Sequence, residues 1–247
     1  SGNTPSQNLV DAYEMIDGTP FDWNNPEHKS NPYANRDPRL AMSILTNNVE
    51  FKDRTIEAWT GGRDGKGVIH ATRTGYYIYK FIDPNLDLLQ NRTSVHHWVI
   101  MRYAEILLSY AEAMNEAYGP TGNVGYRLNA VRALNQVRNR VGVEMPAVPT
   151  AISKEELREK IRNERRVELA FEDHRFWDVR RWMIAEQEGV MSGAMYGIKI
   201  YWINSSPQEF RYTPYLYENR TFTKKMYLHP FSTNEVNKGY LIQNPGY

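Results

Sequence analysis

The sequence predicts a mainly α protein built from tetratricopeptide-like helix pairs, with long irregular loops and a few short strands. Two consecutive helical hairpins of similar length, read between residues 99 and 188, carry the repeat-like part of that expectation. Flanking segments rich in Gly, Pro, Asn and Tyr show no helical period and carry the rest. The helices are organised around one stretch, IRNERRVELAFEDHRFWDVRRW at residues 161–182, where carboxylates, arginines and large aromatics crowd a single helical run.

In chain order, residues 17–36 (DGTPFDWNNPEHKSNPYANR) hold three prolines and read as an ordered loop. Pro38 sets the start of a short helix or extended piece at residues 36–45. A second loop spans residues 51–77, where Gly61, Gly62, Gly65 and Gly67 demand tight turns. Residues 75–82, GYYIYKFI, are β-like. Residues 99–118 form an amphipathic helix with Ile100, Tyr103, Ala104, Leu107, Leu108, Ala111 and Met114 on one face. Gly119 and Pro120 end it.

Residues 124–141 make the second helix through Val131, Leu134, Val137 and Val141, and the short connection implies antiparallel packing. After a proline-punctuated connector at 143–150, Ser153 and Glu156 have the spacing of a capping box that opens the third helix. The fourth runs to about residue 186. Beyond Gly189, stretches such as IKIYW and a high Tyr, Gly and Pro content predict short strands and loops. The chain divides accordingly into 1–98, 99–188 and 189–247, three parts of one structural unit.

On a helical wheel, Leu157, Ile161, Val167 and Phe171 share one side, and Glu164, Glu168 and Glu172 fall on or beside it. Carboxylates aimed at a core must be paired or protonated. One reading is a catalytic pair, since Glu164 and Glu168 at i, i+4 would stand about 5–6 Å apart at Cβ. The other is a buried ion network that locks helices together. Arginine density favours the network, because positive charge lowers a carboxylate's pKa whereas a general acid needs it raised. The expected members are Glu164, Arg165, Glu168, Arg175 and Asp178.

Composition excludes several classes. Lys and Arg total 30 against 29 Asp and Glu, so no basic footprint for nucleic acid is expected. The absence of cysteine rules out disulfides, thiolate metal sites and a cysteine nucleophile. HExxH and GxSxG are missing, so neither a zinc protease nor a standard serine hydrolase is indicated, and no metal or cofactor is expected. His96 and His97 are neighbours that cannot share one face, and are expected to flank Trp98 at a helix start.

Aromatics are the informative excess: 13% of residues, with 17 tyrosines, many in polar, Gly- and Pro-rich context. Sugars present flat C–H faces and rings of hydroxyls, which aromatic platforms flanked by Asn, Asp, Gln and Arg bind. Trp59 stands before a double glycine with Arg63 and Asp64 after it, and Trp202 and Tyr215 lie in a second aromatic concentration. These five residues are the expected ligand site, with Trp59 as main platform. Tyr76 and Tyr77 are weaker candidates, one of them expected in the core.

The stretch ERRVELAFEDHRFWDVRRW resembles the signature of the SusD/RagB family, surface glycan-binding lipoproteins of Gram-negative outer membranes. TPSQNLVDAYEMIDG, RYAEILLSYAEAMNEA and LHPFSTNEVNKGYLIQNPGY are similar to further family motifs in the family's order. Asp173 departs from it, standing where the family usually has glycine between helices. The resemblance implies helix pairs of tetratricopeptide type, glycan capture without catalysis, and a TonB-dependent outer-membrane partner, the SusC barrel. It also implies a lipid anchor and N-terminal helices outside this sequence, which would then be the C-terminal portion of a longer protein. From other classes, a helical-repeat scaffold for protein partners and a glycoside hydrolase are the alternatives.

Overall fold

The structure is a computed structural model that describes residues 3–87, 89–95 and 97–247. Before the helical layer come three short helices, α1 (Gln7–Val10), α2 (Pro26–Ser30) and α3 (Arg39–Ser43). Two small antiparallel pairs join them: β1 (Ile44–Leu45) with β4 (Tyr77–Ile78), and β2 (Glu50–Phe51) with β3 (Arg54–Thr55). Only two residues of the β-like stretch at 75–82 therefore pair as strand.

The helical layer consists of α4 (Tyr103–Tyr118), α5 (Ala130–Arg138), α6 (Lys154–Glu168) and α7 (His174–Arg181). Its core joins Leu107, Leu108, Ala111 and Met114 of α4 with Val131, Leu134 and Val137 of α5 and with Leu157 and Ile161 of α6. These residues follow the 3.6 period that makes each helix bury one stripe. At α5 the N-cap Asn129 accepts from Arg132 N at 2.9 Å. At α6 the capping box closes both ways: Ser153 Oγ accepts from Glu156 N at 3.2 Å and Glu156 Oε2 from Ser153 N at 3.0 Å. That satisfies two of the orphan donors at the helix start.

Three expectations are corrected here. The first helix begins at Tyr103 and not near residue 99, leaving Ile100 83% and Tyr103 69% exposed instead of in the core. The reason is Arg102, held in extended backbone because its side chain reaches back to Glu168 and Glu172. α5 is shorter than 124–141, with left-handed backbone at Val124, Gly125 and Gly142 outside its ends. The 161–182 stretch is not one helix: Phe171 and Asp173 adopt φ of 65° and 63° and turn the chain between α6 and α7. The carbonyls freed at the end of α6 are taken up by cations: Glu168 O accepts from Arg102 Nη2 (2.7 Å) and Lys80 Nζ (3.1 Å). Cations at a helix C-terminus also complement its dipole.

Beyond the helices, β5 (Gly193–Ser205) and β6 (Gln208–Arg220), 13 residues each, form an antiparallel hairpin joined through a cis Ser206–Pro207 bond. The strands are longer than expected because the Gly, Tyr and Pro content masks an alternation. Ile198, Ile200 and Tyr212 are buried while Lys199 and Thr213 are exposed. Pro214 is tolerated because, among the described residues, β6 pairs only with β5 and remains an outer strand. A short 3-10 turn (Lys224–Tyr227) and α8 (Thr233–Val236) follow.

The hairpin closes a second core, in which Ile198, Ile200 and Tyr212 meet Val10, Tyr13, Ile44, Ile56, Tyr76 and, from α6, Val167. Helix α6 thus serves both cores, and the second draws on all three parts of the chain. Among the described residues, no helix is long and apolar enough to cross a membrane. Ser1, Gly2, Leu88 and His96 lie outside the described residues; His97 and Trp98 sit in irregular chain ahead of α4.

Candidate functional site

Where the two cores meet, α6 turns its charges inward. Glu164 accepts from Arg39 Nη1 at 2.5 Å and Arg138 Nη1 at 2.8 Å. Glu168, 1% exposed, accepts from Arg102 (2.6 Å), Arg140 (2.6 Å) and Arg39 (2.9 Å). Arg39 also holds Asp37 at 2.6 Å, and Arg138 holds Glu14 at 2.9 Å, which accepts from Lys160 at 2.7 Å. Glu172 takes Arg102 Nε at 2.7 Å and Lys80 Nζ at 2.5 Å.

Carboxylates and cations alternate, so each buried charge has an opposite neighbour, the condition for keeping ions out of water. Burial by itself would raise the Glu168 pKa. Hydrogen bonds from Arg140 and Arg102 and the charge of Arg39 outweigh it and hold the group at about 2. A carboxylate so placed is an anion at neutral pH and no proton donor.

A second network joins α4, α6 and α7. Asp178 accepts from Arg165 Nε at 2.8 Å and Arg181 at 2.8 Å, while Arg181 reaches Glu112 at 2.5 Å. Of the expected network, Glu164, Arg165, Glu168 and Asp178 are ion-paired. Arg175 is the exception: among the described residues it makes no ion pair, since Arg165 and Arg181 occupy Asp178. Burial, with Arg166 nearby, pushes its guanidinium down to about 10. The partners that sequence reasoning missed, Arg39, Lys80, Arg102, Arg138 and Arg140, come from elsewhere in the chain. A signal for two of them was the pair of arginines closing the second helix.

The expected ligand residues divide between two places. Trp59 and Trp202 meet edge to face, with centroids 4.8 Å apart and planes at 89°. Phe210 lies 5.5 Å from Trp59 and 5.8 Å from Trp202. Trp59 is half-buried, whereas Trp202 is 43% exposed and offers more free ring to solvent. The loop is pinned to the hairpin by Thr60 N donating to Ile200 O at 2.8 Å. Gly65 is required by contact: a Cβ there would stand 2.1 Å from the Trp59 carbonyl oxygen.

Asp64 staples the loop. Its two oxygens accept from Arg54 at 2.6 and 2.8 Å, and one also takes Glu57 N at 2.9 Å. The hydrogen bonds from Arg54 lower its pKa against the opposing effect of burial. Arg63 pairs with Glu57 at 3.1 Å at the loop surface. Tyr215 stands apart. It pairs across Gly197, in phase with Lys199 and out of phase with Ile198, Ile200 and Trp202, so it projects from the opposite face of the hairpin. Tyr76 is buried with its hydroxyl on Gln7, and Tyr77 donates to Asp64 O at 3.0 Å.

Beside Phe210 lies a cleft of about 390 Å³ walled by Tyr33, Phe210 and Tyr212 and by the amides of Asn31, Asn47, Asn48 and Gln208. Sequence reasoning missed these amides; the asparagine pair at 47–48 was the available signal. A wider groove of about 930 Å³ lies between α6 and the 146–152 connector, but none of its lining residues is aromatic.

The pattern that defines the SusD family matches residues 1–247. A SusD-like protein from Bacteroides fragilis superposes with a TM-score of 0.78 at 32% identity, covering 99% of this chain and 47% of that one. A SusD-like carbohydrate-binding protein from the same species gives 0.73 at 28% identity, over 94% of this chain and 47% of that one. SusD-like protein P2 of Formosa agariphila is 35% identical over 111 residues, 43% of this chain and 20% of its own. The chain spans just under half the length of these solved relatives, and its match to the curated one covers a fifth of that protein. With its whole length matched and its fold shared, the chain belongs to the SusD family.

Proposed function

We propose that this protein captures oligo- or polysaccharide at the cell surface and delivers it to a SusC-like, TonB-dependent outer-membrane transporter, without cleaving it. The observation that carries the reading is the Trp59–Trp202–Phe210 cluster, in which Trp202 is exposed and Phe210 also walls a cleft lined by amides. An indole face stacks on the C–H face of a sugar, and amide groups donate to and accept from its hydroxyls without a net charge. The solved relative described as carbohydrate-binding supports it. Trp202 is the main platform, with Trp59 and Phe210 holding its orientation. Binding without hydrolysis fits a Glu168 kept ionised and saturated by arginines.

Affinity electrophoresis of the full-length protein in gels containing candidate polysaccharides tests the capture step, with chromatography of the same mixtures for shorter products. Retardation with no new oligosaccharide is the expected result. Depolymerisation abolished by Glu168→Gln would replace binding with hydrolysis. Purification from native membranes is expected to bring down a TonB-dependent barrel.

A further inference from the structure

The face of the β5–β6 hairpin opposite Trp202 carries cations without anionic partners. Register places Lys199 across from Thr213, Tyr201 across from Arg211 and Tyr215 across from Gly197, all on this outer face. Gly197 lets the Tyr215 ring lie over the strand, since a Cβ there would stand 2.9 Å from Tyr215 Cε1. The Tyr215 hydroxyl donates to the carbonyl of Arg73, which fixes the neighbouring loop at the edge of this face. Lys66 Nζ sits 4.1 Å from the centroid of the Tyr215 ring and Lys199 Nζ 5.3 Å from it. The Arg211 guanidinium lies 5.0 Å from the Tyr201 ring.

In the helical layer, Arg102, Arg138, Arg140, Arg165 and Arg181 are all ion-paired. Here Lys66, Lys199 and Arg211 make no ion pair among the described residues. The carboxylates of the adjoining segments are engaged elsewhere: Asp64 by Arg54, Glu57 by Arg63 and Glu218 by Arg220. Glu209, at the hairpin end, is bonded to none of the three. Two ammonium groups on one ring stand within about a screening length of each other, ~8–10 Å at physiological salt, so their repulsion is only partly screened. A cation–π contact offsets this modestly at an exposed site. A bound anion would neutralise the pair and leave ring faces for stacking.

We infer that this face is a second saccharide-binding surface, selective for anionic polysaccharide bearing carboxylate or sulfate groups. The inference rests on the glycan reading above. Tyr215 and Tyr201 supply the stacking faces; Lys66, Lys199 and Arg211 read the anionic groups. Gly197 and Tyr201 are four residues apart on β5, about 13 Å at strand rise, so the face suits an oligosaccharide more than a single ring.

The test compares polygalacturonate, alginate and chondroitin sulfate with neutral xylan and β-glucan, using the full-length protein in affinity electrophoresis. Lys66→Gln/Lys199→Gln is expected to weaken binding to anionic polysaccharide about tenfold and to leave neutral binding unchanged. Lys66→Arg/Lys199→Arg is expected to retain it. Binding should also fall between about 50 and about 500 mM NaCl. Both lysines are exposed, so matching melts of all variants are expected.

Binding confined to neutral glycans would overturn this inference and leave the capture reading intact. Failure to bind any glycan would overturn both. Anionic binding that the Gln variant does not weaken would place the site elsewhere. Retention on phosphatidylglycerol vesicles, lost in the Gln variant without any anionic glycan being bound, would make the face a membrane contact and overturn the inference.

Discussion

Replacing Glu168 by Gln removes one negative charge where the two cores meet and leaves three arginines to share what remains. Arg39 keeps Asp37 and Glu164, and Arg102 keeps Glu172, but Arg140 loses its ion partner. In the folded chain the Glu168 carboxyl titrates at about 2 against an ordinary value of 4.5. At roughly 1.4 kcal/mol per pH unit, that difference corresponds to about 3 kcal/mol. The cost of breaking a buried ion pair gives about 3–5 kcal/mol. The lower end applies because Arg140 is 39% exposed and can rehydrate.

For a chain of this size, about 3 kcal/mol lowers Tm by about 6–12 °C. The sign with pH follows from a depressed carboxyl: its contribution is complete above about 4.5 and is lost as pH falls towards 2. The gap between wild type and Glu168→Gln should therefore narrow through that window. Melts followed by circular dichroism between neutral pH and the acid limb measure both effects. A midpoint within about 1 °C of wild type, or a gap that does not change with pH, would refute the ion-network reasoning.

Arg175→Met should act in the opposite direction, raising Tm by a few degrees, because a half-buried guanidinium without an ion partner is replaced by an apolar chain; a lower midpoint in the same melts would contradict this. Gly65→Ala forces the backbone at Trp59 to shift, since its Cβ would stand 2.1 Å from that carbonyl oxygen. The expected cost is about 1–3 kcal/mol, with red-shifted tryptophan emission and weaker saccharide retention; unchanged emission would show that the loop does not position Trp59.

What was legible in the sequence is what local rules decide. The Ser153–Glu156 box and the central apolar positions of α4 and α5 depend on neighbours a turn or two away, and they stand as read, whereas Ile100, Tyr103 and Val141 at the ends are exposed. The start of α4 depends on Arg102 reaching Glu168 and Glu172, 66 and 70 positions downstream, which no local pattern announces. Arg175 could not be separated from Arg181 by composition. Both lie close to Asp178 in sequence, and only the packing of α6 on α7 decides which reaches it.

The candidate site divides in the same way. Trp59 and Trp202 were legible as aromatics in loop-like context, but their contact spans most of the chain. That Tyr215 faces away from them follows from the unbroken strand register between Gly197 and Trp202, which the Gly- and Tyr-rich sequence conceals. The pairing of Asp64 with Arg54 was not legible because Arg54 lies across a loop whose path the glycines determine.

The central claim is that an exposed tryptophan held by two aromatic neighbours captures sugar. Titration calorimetry of the full-length protein with a polysaccharide that retards it, repeated on Trp202→Ala, tests this directly. Loss of one stacking face is expected to weaken binding about five- to thirtyfold, from about 1–2 kcal/mol, while Tm stays close to wild type because Trp202 lies at the surface end of the cluster. Full-strength binding by a folded Trp202→Ala would contradict the account and move capture away from the Trp59–Trp202–Phe210 cluster.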